Sequence, residues 1–134
     1  VQFLLVERRP QVNMVKFCQE HDIKFFTYGS ICSGLFSEEY LSKREPRGFD
    51  LNTSSLKKYK NMIDNWGSWG LFQILLSTLK QIADKHQLNI ANVAVNYIYN
   101  QPSVLGVIVG ARLGIAEHIE DNANVFGFSW MLRI

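Results

Sequence analysis

At 134 residues, 47% apolar and 19% charged, the chain is long enough for one domain with a real core and has the balance of an ordinary globular sequence. A net charge of +2 makes no electrostatic case for nucleic acid or a membrane surface as partner. Two cysteines, Cys18 and Cys32, are too few for a disulfide framework or a zinc site, and no apolar run approaches the roughly 20 residues that span a bilayer, so a reducing, cytoplasmic setting is expected.

Taken in chain order, residues 1–6 (VQFLLV) form a short apolar run that reads as a buried strand. The chain opens inside that run, without a polar lead-in, which sets the expectation that further sequence precedes it. Pro10 and Asn13 punctuate the chain. Met14, Phe17, Cys18 and His21 then mark one face of a helix at about 13–21, with Asn13 as its N-cap. IKFFTYG is a second buried strand ending at Gly29, so strand, helix and strand follow within thirty residues, the spacing of a parallel βαβ unit.

Residues 29–55 are loop-like, broken by Gly29, Gly34, Pro46 and Gly48, and a loop of that length in a compact domain points to function. SSLKKYKNMIDNW predicts a short helix at about 55–64, capped by its serines, and the clusters Lys43-Arg44 and Lys57-Lys58-Lys60 read as solvated faces. Leu71, Leu75, Leu79, Ile82 and His86 recur at helical intervals, with Trp66 and Trp69 expected to pack nearby. Asn89 caps a further helix carrying Val93, Ala94, Tyr97 and Ile98, which Pro102 terminates. VLGVIVG is a third buried strand, followed by a helix at about 115–124. Three strands separated by helices, without hairpin signals, predict an α/β architecture with a parallel sheet, as part of a larger doubly wound sheet or a (β/α)8 barrel.

In either fold, ligands bind beyond the C-terminal ends of the strands, which selects Glu7–Arg9, Tyr28–Gly34 and Gly110–Arg112. Gly110 lets a ligand approach the backbone, Arg112 offers a forked cation, and the following helix start favours an anion. A phosphate seat and a solvated βα turn both fit that description. Tyr28 is either a core tyrosine or a flat platform for a planar ring. His21 and His86 read as structural. Asp22, Asp50 and Asp64 show no paired-carboxylate spacing, the serines lack a nucleophile elbow, and no metal-ligand cluster stands out. The residue pattern by itself names no catalytic group.

Four segments in order carry a resemblance: VQFLLVERRP, FFTYGSICSGLFS, IADKHQLNIANVAVNYIYNQPSVLGVIVGAR and DNANVFGF. Together they resemble strands six to eight and the closing helix of an aldo-keto reductase, so that residues 1–134 correspond to the C-terminal part of the domain with the upstream half absent. The resemblance implies a portion of a (β/α)8 barrel with three parallel strands, from a protein that moves hydride between NADP(H) and an aldehyde or ketone. Gln2 falls where a glutamine holds the nicotinamide carboxamide, and Tyr28 where an aromatic stacks on that ring. Gly29, Ser30, Ile31 and Cys32 fall in the loop along the pyrophosphate. Gly110 and Arg112 match the loop around the 2′-phosphate, and His118, Asp121 and Asn122 the helix that holds the adenosine.

Departures accompany the match. Glu39 stands where many relatives have a lysine, and His118 where arginine or glutamine is common. The family's catalytic tyrosine, lysine, aspartate and histidine belong to earlier strands, and none of those positions falls in this sequence. The chain alone is therefore expected to be inactive, with a small carbonyl compound as the substrate of the full-length parent. A non-catalytic cofactor-binding or regulatory subunit on the same scaffold is the competing reading.

Overall fold

The computed structural model describes residues 1–111, 114 and 118–127. Its two strands, β1 (Phe25–Tyr28) and β2 (Val104–Ile108), pair in parallel, Phe25 opposite Val104 and then, after a one-residue bulge, Phe26 opposite Gly106 and Tyr28 opposite Ile108. Between them come the helices α2 (Ser54–Trp66), α3 (Trp69–Lys85) and α4 (Ile90–Tyr99); α1 (Met14–Glu20) precedes β1 and α5 (Ile119–Ala123) follows β2.

The expected first strand is reduced to a single parallel bridge, Gln2 to Tyr28, with Tyr28 N–H donating to the Val1 carbonyl at 3.0 Å and Phe3 N–H to that of Tyr28 at 3.3 Å. Leu4 and Glu7 exchange both backbone hydrogen bonds, at 3.2 and 3.0 Å, and so curl the apolar run before it can extend. Three expected parallel strands thus become two, with a bridged segment on the far side of β1. The α/β class and the parallel direction stand.

Two cores result. Phe3, Val15, Cys18, Phe25 and Ile98 fill the space between the sheet, α1 and α4. The larger core joins α2, α3 and α4 to the long loop, with Phe36, Phe72, Leu76, Ile63 and Val93 completely buried. That loop contains two short 3-10 turns, Cys32–Gly34 and Gly48–Asp50, and its buried Cys32, Leu35 and Phe36 make it part of the core.

Caps agree with sequence chemistry at α4, where the Asn89 side chain accepts from Asn92 N–H and the Asn92 side chain from Asn89 N–H. Elsewhere the details shift. Asn13 makes no side-chain cap, Thr53 rather than a serine caps α2, and Ser68 caps α3. On α3 the buried stripe is Phe72, Leu76, Leu79 and Ala83, one residue round from the expected Leu71–Leu75 line, because Phe72 packs against Phe36 at 5.3 Å and sets the helix rotation. On α1, Phe17 is exposed and stacks on His21 at 4.3 Å, while Val15 and Cys18 are buried.

Lys60 also departs from expectation. It is buried, with Nζ 2.9 Å from Glu45 Oε1 and 2.6 Å from Asp64 Oδ1. Burial works to depress its pKa, but the hydrogen bonds to Asp64 and Glu45 outweigh it and hold the ammonium above its usual range. Among the described residues no helix is long and apolar enough to cross a membrane.

Candidate functional site

The C-terminal ends of the paired segments share one end of the sheet. Gln2 is bridged to Tyr28, Tyr28 is the register partner of Ile108, and Gly110 lies two residues beyond it. Gln2 and Gly110 therefore flank the tip of β1 from opposite sides. The Gln2 amide donates to Met62 Sδ at 3.3 Å and borders an open hollow with Arg9, Lys58 and Trp66. Tyr28 is 43% exposed, with the Lys58 ammonium 5.7 Å from its ring centroid.

Past Tyr28 the chain turns on Gly29, whose φ of +83° suits glycine; an added Cβ would also lie 2.5 Å from the Tyr59 hydroxyl. Ser30 is buried and its hydroxyl donates to the Phe3 carbonyl at 3.4 Å. Cys32 is fully buried, and burial pushes its thiol up, so it stays protonated. Both side chains anchor the loop, which leaves its backbone and Ile31 to meet a ligand.

Ile31 lines a cleft of about 250 Å³ together with Gly110, His118, Asp121 and Asn122. Five of the expected residues, from two regions far apart in sequence, thus share one cavity. Cβ atoms built on Gly34 or Gly110 meet nothing within 4 Å, so both backbones stand open to the cleft. His118 begins α5 with φ of 48°, and its Nδ1 is 3.9 Å from Asp121 Oδ2. Arg112 lies outside the described residues.

Glu39, which the sequence singled out as a departure from the family pattern, and Asn89, which it read as a cap, also border the cleft; Glu38 and Asn92 do too, and the sequence reading missed them. Glu38 Oε1 accepts from Ile90 N–H at 2.9 Å and so occupies the start of α4, where an anion would otherwise be favoured. With Asp121, the cleft carries three carboxylates among the described residues. The pairing of Glu38 with a helix start 52 residues away leaves no local trace in sequence. The asparagines did leave one, since they are amides on an otherwise apolar helix. Among the described residues no cluster of ligating side chains could hold a metal.

Comparison with known proteins bears on this arrangement. Over 87 residues, 63% of its length, the chain is 31% identical to flagellar radial spoke protein 5 of Chlamydomonas reinhardtii, matching 16% of that protein. Its fold superposes on a glycerol dehydrogenase from Gluconobacter oxydans with a TM-score of 0.57, covering 79% of this chain and 31% of that one at 18% identity. The chain therefore spans less than a third of either protein. Residues 1–130 match the sequence profile of the aldo/keto reductase family. With nearly its whole length within that profile and a fold shared with such a barrel, the chain belongs to the aldo/keto reductase family.

Proposed function

We propose that this chain is the C-terminal part of an NADP(H)-dependent aldo-keto reductase of the cytoplasm, supplying much of the dinucleotide site and none of the catalytic quartet. What supports the reading is the gathering of Ile31, Gly110, His118, Asp121 and Asn122 around one cleft, at the sheet end that also carries Gln2 and Tyr28. Gln2 and Tyr28 would hold the nicotinamide and the backbone of residues 29–32 the pyrophosphate. Gly110, His118, Asp121 and Asn122 would hold the adenosine. Because the described charges of the cleft are mainly carboxylates, Arg112 would carry the 2′-phosphate. Bound there, the dinucleotide would supply a hydride to an aldehyde or ketone, with the proton coming from groups outside this sequence.

The test is a titration of the chain with NADPH and with NADH, followed by tryptophan fluorescence. Arg112→Ala is expected to weaken NADPH by about tenfold or more and NADH by less than about twofold, the loss of one charge-assisted contact. Equal loss for both would refute the assignment. Mixed with NADPH and an aldehyde, the chain is expected to show no turnover.

The likeness to a flagellar radial spoke protein favours one second reading, a binding module that keeps the scaffold without catalysis. The two readings diverge in the full-length protein. An intact quartet and carbonyl reduction support the reductase, whereas dinucleotide binding without turnover supports the module.

A further inference from the structure

Helix α4 is the most apolar of the helices, yet two of its buried positions are amides, Asn92 at 3% and Asn96 at 1% exposure. They stand one turn apart, on one face. Burying an amide is unfavourable unless its hydrogen bonds are made, so the partners show what these side chains hold.

Both are wired alike. Asn92 Oδ1 accepts from Asn89 N–H at 3.3 Å, and its Nδ2 donates to the Asp121 carbonyl at 2.7 Å. Asn96 Oδ1 accepts from Asn100 Nδ2 at 3.0 Å, and its Nδ2 donates to the Val125 carbonyl at 2.7 Å. In each case the oxygen is engaged by a cap residue of α4, Asn89 at its start and Asn100 at its end, which orients the nitrogen outward to the segment 119–127. The acceptors, Asp121 and Val125, are themselves four residues apart, so two rungs one turn apart on α4 meet two rungs one turn apart on the segment.

We infer that Asn92 and Asn96 are positioning residues that latch the segment 119–127 to α4 and so set the wall of the cleft that carries Asp121 and Asn122. This rests on the reading of the cleft as the adenosine end of a dinucleotide site. Among the described residues, apolar packing of that wall is confined to Val125 and an edge-on contact of Phe126 with Tyr99 of α4. Val125 is buried, but Ile119 and Phe126 are 68% and 70% exposed. The two amides supply direction as well as attraction, because a register slip of the segment would leave both buried Nδ2 groups without their carbonyls.

The test uses the full chain and two readouts. Asn96→Asp preserves size but sets a carboxylate against the Val125 carbonyl. Hydrogen exchange resolved by peptide is expected to quicken about tenfold at 119–127 while α2 and α3 keep their protection. NADPH affinity is expected to fall about tenfold, and the protection that NADPH gives 119–127 in the unaltered chain to disappear. Unchanged exchange at 119–127 would overturn the latch, as would quickened exchange with full NADPH affinity. If the unaltered chain binds no NADPH, the dinucleotide reading fails, and the exchange result alone decides for or against the latch. Should Asn96→Asp not fold, Asn100→Ala decides: it removes a group that orients Asn96 Oδ1, together with that group's bond to the Asn96 carbonyl at the end of α4, and leaves Asn96 itself in place. Exchange about threefold faster, confined to 119–127, supports the latch, and no change overturns it.

Discussion

One wall of the cleft, residues 31–39 with the start of α4, is rooted in the larger core. Cys32, Leu35, Phe36 and Ile90 are completely buried beneath it, and Phe36 packs on Phe72 at 5.3 Å. Across the cleft, segment 118–127 has Val125 as its buried side chain and is joined to α4 by two amide donors. One wall is held by non-directional burial and the other by a pair of directional bonds. The first should yield only when the domain unfolds. The second can open on its own, because removing two hydrogen bonds leaves the core intact.

The sharpest way to break this contrast is Phe36→Ala. A fully buried aromatic cut to a methyl is expected to destabilise the chain by about 3–5 kcal/mol, measured by chemical denaturation. Phe126→Ala, on the opposite wall and 70% exposed with an edge-on contact to Tyr99 at 5.4 Å, should cost less than about 1 kcal/mol. Similar costs for the two would mean that both walls share one core.

Next in size is Lys60→Met, which leaves the Glu45 and Asp64 carboxylates without their shared ammonium. Both carboxylates keep some solvent access, so the expected loss is about 2 kcal/mol rather than the full cost of an orphaned buried charge. The same pair sets a pH dependence. Hydrogen bonds from Arg47 and then Lys60 hold Glu45 below the usual carboxylate range. Its stabilisation is therefore present above the unfolded pKa and lost as pH falls through the lowered folded value. Lys60 is shifted upward, so its share is present below the unfolded lysine pKa and lost as pH rises through the folded one. The difference in melting temperature between the unaltered chain and Lys60→Met should be greatest near neutrality and shrink at both extremes. A difference independent of pH would rule out the ion pair as its source.

How much of this was legible beforehand follows the same division. Strands IKFFTYG and VLGVIVG, the Asn89 cap and the apolar helices announce themselves through local pattern, and β1, β2 and α4 formed where local pattern indicated, although the two strands, expected to be buried, leave Phe26, Tyr28, Leu105 and Ile108 exposed because two paired strands present an uncovered face. The first strand did not, because the mutual hydrogen bonds of Leu4 and Glu7 curl it, and apolar composition says nothing about a turn between two valid strand residues. That Ile31 and Gly110 would lie at one end of the sheet, where they line the cleft, was readable from the rule that ligands bind beyond strand ends. Glu38 was not, since its partner is the α4 backbone, and Lys60 was misread because a lysine between two acids on different elements looks like any solvated charge.

Glu39 gives the smallest expected effect and tests the wall rooted in the core as an electrostatic surface. It lines the cleft with Glu38 and Asp121. Glu38 is committed to capping α4, so its charge is partly met by the helix start, whereas the structure assigns Glu39 no such cap. Glu39→Lys changes the local charge by two units on a wall anchored by buried Leu35 and Phe36. Unit charges 8 Å apart in water interact by only about 0.5 kcal/mol, so a gain of about fivefold in NADPH affinity is the reasonable scale. Because the interaction crosses solvent, the gain should fade as ionic strength rises past the physiological range. NADH, lacking the 2′-phosphate, should gain markedly less. A salt-independent gain, equal for the two dinucleotides, would mean that the substitution reshaped the wall instead of recharging it, against the expectation that buried Leu35 and Phe36 hold that wall in place.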